Sequence, residues 1–192
     1  MRFAIIMMSA VLMCVQARAQ VAAGSQATGE ARLDPAQIRL EIRNFETVLN
    51  SAITAAFSSS PFALIQKVKG VYLPGYGMSF TFLINIHRAM VNTPFGEVRR
   101  GETVTPDQKK RRIDELLDRL TLGLQENGGK FRQLRKEESV TIVAFFEDRN
   151  FPDEANQNKT VLISATERDL EEFAGQANRF QEFKQRVKTI EY

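Results

Sequence analysis

The sequence predicts an α+β protein, a mainly antiparallel sheet of four or five strands with packed helices in the order α-β-β-α-β-β-α-β. Three observations carry this expectation. Two stretches open with the same helix-start grammar and continue with apolar residues spaced by three and four. Each is followed by a pair of strand-like runs. The paired runs are neighbours along the chain, which favours antiparallel pairing, and the helical stripes need a sheet to cover.

The first helix opens at Asp34-Pro35-Ala36-Gln37. Asp at the cap accepts from orphan backbone donors, Pro suits the first turn, and Gln three residues after the cap is placed to reach back. Ile38, Ile42, Phe45, Leu49, Ala52, Ile53 and Ala56 then form one apolar stripe, and Ser58-Ser59-Ser60-Pro61 ends it. Residues 62–73 and 78–88 read as strands. In the second, Met78, Phe80, Phe82, Ile84 and Ile86 alternate with Ser79, Thr81, Leu83, Asn85 and His87, the pattern of a strand buried on one face. Between them, Leu73-Pro74-Gly75-Tyr76 suits a type II turn, with Pro presetting the second position and Gly accepting positive φ at the third. Gly77 is then placed for a bulge.

A loop from Arg88 to Val104 leads to Thr105-Pro106-Asp107-Gln108, where the cap grammar returns before Ile113, Leu116, Leu117, Leu120 and Leu124. Asn127-Gly128-Gly129 stops this helix. Residues 139–147 and 160–165 are the next strands, Thr166-Glu167-Arg168-Asp169 opens a third helix with Leu170, Phe173, Ala174 and Ala177, and RVKTIEY at the end reads as a last strand. A capped helix followed by a strand pair thus occurs twice, which raises an internal duplication although the halves barely match in sequence.

Residues 1–19 read as a signal peptide: Arg2, an apolar run from Phe3 to Val15, and Ala17-Arg18-Ala19 as a cleavage site before Gln20. The run is shorter than the span of about 20 apolar residues that a membrane helix needs. Met13 is bulky where a lipoprotein signal before Cys14 wants a small residue. The expectation is export to the periplasm or medium, a flexible lead over 20–33, one domain over 34–192, and no transmembrane segment after cleavage. Removing Arg2 and Arg18 takes the 26 basic residues to 24 against 23 acidic ones, so the formal charge falls from +3 to +1. That balance argues against nucleic acid as a partner, which calls for clustered excess charge. The only cysteine, Cys14, leaves with the signal, so packing has to do what disulfides do in many exported proteins.

The candidate site is the hairpin tip, Tyr72, Pro74, Gly75, Tyr76 and Gly77. It offers backbone amides and two amphipathic rings of a kind enriched in binding surfaces. It lacks the further glycine and the lysine of nucleotide loops, and turn chemistry alone explains its glycines. His87 is the only histidine, which excludes zinc sites built on several His and Cys, and no GxSxG elbow accompanies it. The polar loop with Glu147, Asp148, Asn150, Asp153, Glu154, Asn156 and Asn158 has the oxygen ligands calcium takes, but not the spacing of a calcium loop, and reads first as solvated. Asn158-Lys159-Thr160 matches a glycosylation acceptor, relevant only in a eukaryotic secretory route. Lys109, Lys110, Arg111 and Arg112, with Arg99 and Arg100 before them, read as a solvated helical face partly neutralised by Asp107, Asp114 and Glu115.

VYLPGYGMSFTF, the helix opened by TPDQKKRR and the run SVTIVAFFED together resemble a family of exported bacterial proteins that share a Tyr-Leu-x-Gly-Tyr-Gly-x-x-Phe hairpin. The match falls on Tyr72, Leu73, Gly75, Tyr76, Gly77 and Phe80. The resemblance implies export and one compact domain, and it transfers no activity, cofactor or catalytic residue. The sequence therefore points to a noncatalytic exported module that binds an envelope protein or small ligand through its hairpin tip, with no catalytic, cofactor or metal residue assigned. One alternative is a cofactor-free envelope hydrolase using carboxylates such as Glu147 and Asp148. Another is a small-ligand or haem carrier using Tyr72, Tyr76 or His87.

Overall fold

The side chain of Asp34 accepts from the Ala36 amide at 2.8 Å, and α1 (Pro35–Ala56) starts behind it. The computed structural model describes residues 33–57, 63–86, 90–99, 105–148 and 158–192. After α1 come β1 (Ala63–Leu73), β2 (Gly77–Asn85), β3 (Met90–Thr93), β4 (Gly96–Arg99), α2 (Pro106–Asn127), β5 (Ser139–Glu147), β6 (Lys159–Thr166), α3 (Glu167–Phe173), α4 (Phe180–Arg186) and β7 (Lys188–Glu191). Residues Leu33–Tyr192 form one compact unit. The signal peptide, its cleavage site and the lead over 20–33 fall almost wholly outside the described residues.

The α+β class holds, but the sheet is mixed. Its order is β1-β2-β5-β6-β7, with β2 and β5 parallel at the centre. The connection between these two strands contains α2, and a long helical crossover that returns the chain to its starting end makes successive strands parallel. The expected mainly antiparallel sheet is corrected at this pair. A second correction lies within the supposed loop from Arg88 to Val104, where β3 and β4 form a separate antiparallel hairpin of two four-residue strands. A third is the last helix: Gly175, at φ +69°, breaks it, and α3 and α4 are joined through a 3-10 turn at Ala177–Arg179.

The duplication finds no support in this arrangement. Strand β1 runs antiparallel to β2 and β2 parallel to β5, so β1 and β5 oppose each other. Copies shifted along one sheet would run in the same direction, and copies related by a two-fold axis would not give the order β1-β2-β5-β6.

The helices cover one face of the sheet, where Phe80, Phe82, Val140, Ile142, Val161 and Ile163 are buried. Phe45 of α1 meets Phe80 and Phe131 edge-on at 4.9 and 5.0 Å, the geometry aromatic quadrupoles favour. Gly70 of β1 allows α1 and β2 to come close, since a Cβ there would lie 2.6 Å from the Phe80 ring and 2.7 Å from Ile42. The outer edge of β1 is also closed by α1: Asn50 Oδ1 accepts from the Val68 amide at 3.1 Å and Glu46 Oε1 from the Gly70 amide at 2.7 Å. Covering unpaired edge amides in this way prevents another strand from adding there.

Cap details differ between the two long helices. Thr105 and Gln108 form the reciprocal capping box at the start of α2, with bonds of 3.0 and 3.3 Å. At α1, Gln37 does not reach back. Its Nε2 donates to Glu41 Oε1 at 3.1 Å, and the Asp34 amide donates instead to Gln133 Oε1 at 3.0 Å. Lys109 is also not on a solvated face. It is buried, and its Nζ lies 3.0 Å from both carboxylate oxygens of Asp148, tying the start of α2 to the end of β5.

Candidate functional site

The hairpin tip begins with its turn. The Tyr76 amide donates to the Leu73 carbonyl at 2.9 Å, and Gly75 has φ +79°, the third-position geometry of a type II turn. Gly77 does not form the expected bulge: it pairs directly with Leu73, and the register shifts of β1 lie between Leu64 and Lys69. It is needed for a different reason. At φ +116°, an added Cβ would lie 2.0 Å from the Ser139 carbonyl oxygen, so β2 and β5 approach there only without a side chain. The Ser139 amide donates to the Tyr76 carbonyl at 3.0 Å across the same contact.

Glu138, just before β5, holds this tip. Its side chain is 2% exposed; Oε1 accepts from the Tyr72 hydroxyl and from the Gly75 amide, both at 2.9 Å, and Oε2 accepts from the Arg135 amide at 3.0 Å. Its carbonyl also accepts from the Glu167 amide at 2.8 Å, so one residue joins the hairpin tip, the α2–β5 connection and the start of α3. Partial burial raises the Tyr72 pKa, and the hydrogen bond to Glu138 and its negative charge push the same way, against a smaller opposing effect of Arg135.

The five tip residues therefore separate. Tyr72 is half-buried on the helix side and committed to Glu138, and Gly77 is buried against β5. Pro74, Gly75 and Tyr76 are exposed, with the Tyr76 side chain at 65%. Val71 and Leu73, which alternate with Tyr72, add exposed apolar surface on the other face of the hairpin.

The other candidates do not assemble. Glu147 is exposed while Asp148 is buried on Lys109, so these neighbours point apart. Asn158 is exposed, and its Oδ1 accepts from the Asp148 amide. Asn150, Asp153, Glu154 and Asn156 lie outside the described residues, as do His87, Arg88 and Arg100. Among the described residues no group of three His, Cys, Asp or Glu side chains could hold a metal ion, and no helix is long and apolar enough to cross a membrane.

Two residues that sequence reasoning missed stand out. Glu138 sits in the charged run Arg135-Lys136-Glu137-Glu138, where nothing separates it from its exposed neighbour Glu137. Glu41 lies on α1 among the apolar stripe positions, is 5% exposed, and lines a cleft of about 220 Å³ beside Phe45, Phe131 and Lys130. Its spacing from Ile38 and Phe45, three and four residues, was a signal that it faces inward. No known protein family, curated protein or solved structure matches the chain.

Proposed function

We propose that the protein is an exported, noncatalytic binding module that presents its hairpin tip to a protein of the cell envelope. The contrast between the two tip tyrosines carries this reading. Tyr72 is locked inward by Glu138, which fixes the turn, and Tyr76 then stands 65% exposed on a backbone that is already ordered. Presenting an aromatic ring on a preorganised turn lowers the ordering cost of association, and aromatic rings are frequent anchors at interfaces. A carrier that used the Tyr72 oxygen as a ligand would have to break its bond to a buried carboxylate, which weighs against that alternative. Export rests on the residues that read as a signal peptide, and the resemblance to exported bacterial proteins points the same way.

The test is site-specific crosslinking. A photoreactive amino acid in place of Tyr76 should give a discrete adduct with an envelope protein, while the same group in place of Gln185, exposed on α4, should not. Adducts of equal yield at both positions, or none at position 76, would remove the tip from the reading.

A further inference from the structure

A buried carboxylate oxygen without a donor needs a physical explanation, because the folded protein then bears the full loss of that oxygen's hydration with no hydrogen bond in exchange. Glu41 presents that case. Its Oε1 accepts from Gln37 Nε2 at 3.1 Å, whereas Oε2 is buried and has no hydrogen-bond partner. The residue is 5% exposed and lines the cleft between α1 and the turn that follows α2. At about 220 Å³, the cleft has room for roughly seven water volumes at about 30 Å³ each, below the size of drug-like pockets and suited to a small metabolite.

The chemistry of the walls selects among small metabolites. Phe45 and Phe131, edge to face at 5.0 Å, and the half-buried Val48 supply apolar surface. The exposed side chains of Lys130 and Arg132 line the same cleft, so it carries negative charge at depth and positive charge outside. A divalent cation would want several carboxylates, and no such cluster exists among the described residues. A plain anion would meet Glu41. A plain amine would have to sit beside Lys130 and Arg132 with nothing to offer them. A molecule with an ammonium group, an apolar body and a carboxylate answers all three features.

We propose that this cleft binds an apolar α-amino acid. Glu41 Oε2 is closed to water in the empty cleft, so its carboxylate turns toward the cleft as the ammonium enters and donates to it, the side chain packs on Phe45, Phe131 and Val48, and the carboxylate of the ligand faces Lys130 and Arg132. The same ammonium chemistry could come from the N-terminus of a peptide, and the test separates the two. The site is distinct from the hairpin tip and stands or falls without it.

Titration calorimetry of the purified protein with L-leucine, L-methionine and L-phenylalanine should give saturable binding for at least one of them. The matching acid without the amine and the matching amine without the acid should each bind at least tenfold more weakly. A dipeptide carrying the same first residue should also bind more weakly, and tighter binding of the dipeptide would overturn the free amino acid in favour of a peptide end. Glu41→Gln should weaken binding at least tenfold without lowering the melting temperature. Val48→Phe, which fills the cleft from its apolar side, should abolish binding in a protein that still melts cooperatively. No saturable heat from any of the three amino acids at millimolar concentration, or equal affinity in Glu41→Gln, would overturn the proposal.

Discussion

Glu138 and Glu41 are the same residue type at nearly the same burial, 2% and 5% exposed, yet they stand in opposite positions. Glu138 accepts three hydrogen bonds, from the Tyr72 hydroxyl and the Gly75 and Arg135 amides, and uses both oxygens. Glu41 accepts one, from Gln37, and leaves Oε2 unpartnered beside a cleft. The first carboxylate is consumed by the fold. The second has capacity left over, and spare capacity in a buried polar group is what a ligand can use. Burial alone does not separate these two carboxylates, whereas their hydrogen bonds do.

A third buried carboxylate sets the upper end of the scale. Asp148 is 3% exposed and faces the Lys109 ammonium, itself 1% exposed. Removing one partner of such a pair strands the other charge, so Asp148→Ala should cost about 3 to 5 kcal/mol. A chemical denaturation series would show it, and a loss below 1 kcal/mol would mean that Lys109 finds water when Asp148 is gone.

A smaller effect probes the satisfied glutamate through its donor. Tyr72→Phe keeps the ring and deletes the hydroxyl, and should cost about 1 kcal/mol at pH 8, the net value of a typical hydrogen bond. The pH dependence has a definite sign. Because the folded-state pKa of Tyr72 is raised above its ordinary value near 10, the folded protein holds this proton more tightly than the unfolded chain. Its contribution is complete below about pH 10 and is lost as pH rises through the folded-state pKa. The stability gap between parent and Tyr72→Phe should therefore narrow as the medium is taken above pH 10, and a constant gap would contradict the assigned hydrogen bond.

Much of the fold was legible because it rests on local rules. The Asp34 and Thr105 caps, the alternation of β2, the type II turn at Pro74-Gly75 and the terminal strand β7 all follow from residue type and spacing. What failed depends on contacts between distant segments. The parallel pairing of β2 with β5 is decided by where α2 returns the chain, and β3 and β4 are too short, at four residues each, to show a period. Gly77 looked like a bulge residue because the close approach of Ser139 is invisible in sequence. The candidate site was half legible: the tip was located from its glycines and tyrosines, but the inward role of Tyr72 needs Glu138, 66 residues away. Lys109 read as solvated because it belongs to the basic run Lys109-Lys110-Arg111-Arg112, and only Asp148, 39 residues on, explains its burial. Glu41 stands three residues after Ile38 and four before Phe45, a spacing that places it on the inward face, but residue type alone argues for the surface.

The most direct test of this account is the melting temperature of two isosteric variants measured side by side, Glu138→Gln and Glu41→Gln. At Glu138 the new amide sets an NH₂ against a backbone or hydroxyl donor, whichever way it turns, and removes the charge that strengthens all three bonds. The expected loss is about 2 to 3 kcal/mol, a fall of roughly 4 to 12 °C for a protein of this size. At Glu41 the substitution removes a buried charge whose second oxygen had no partner, so the melting temperature should stay within about 2 °C of the parent or rise. Similar losses in both variants would contradict the division between a carboxylate spent on the fold and one left for a ligand.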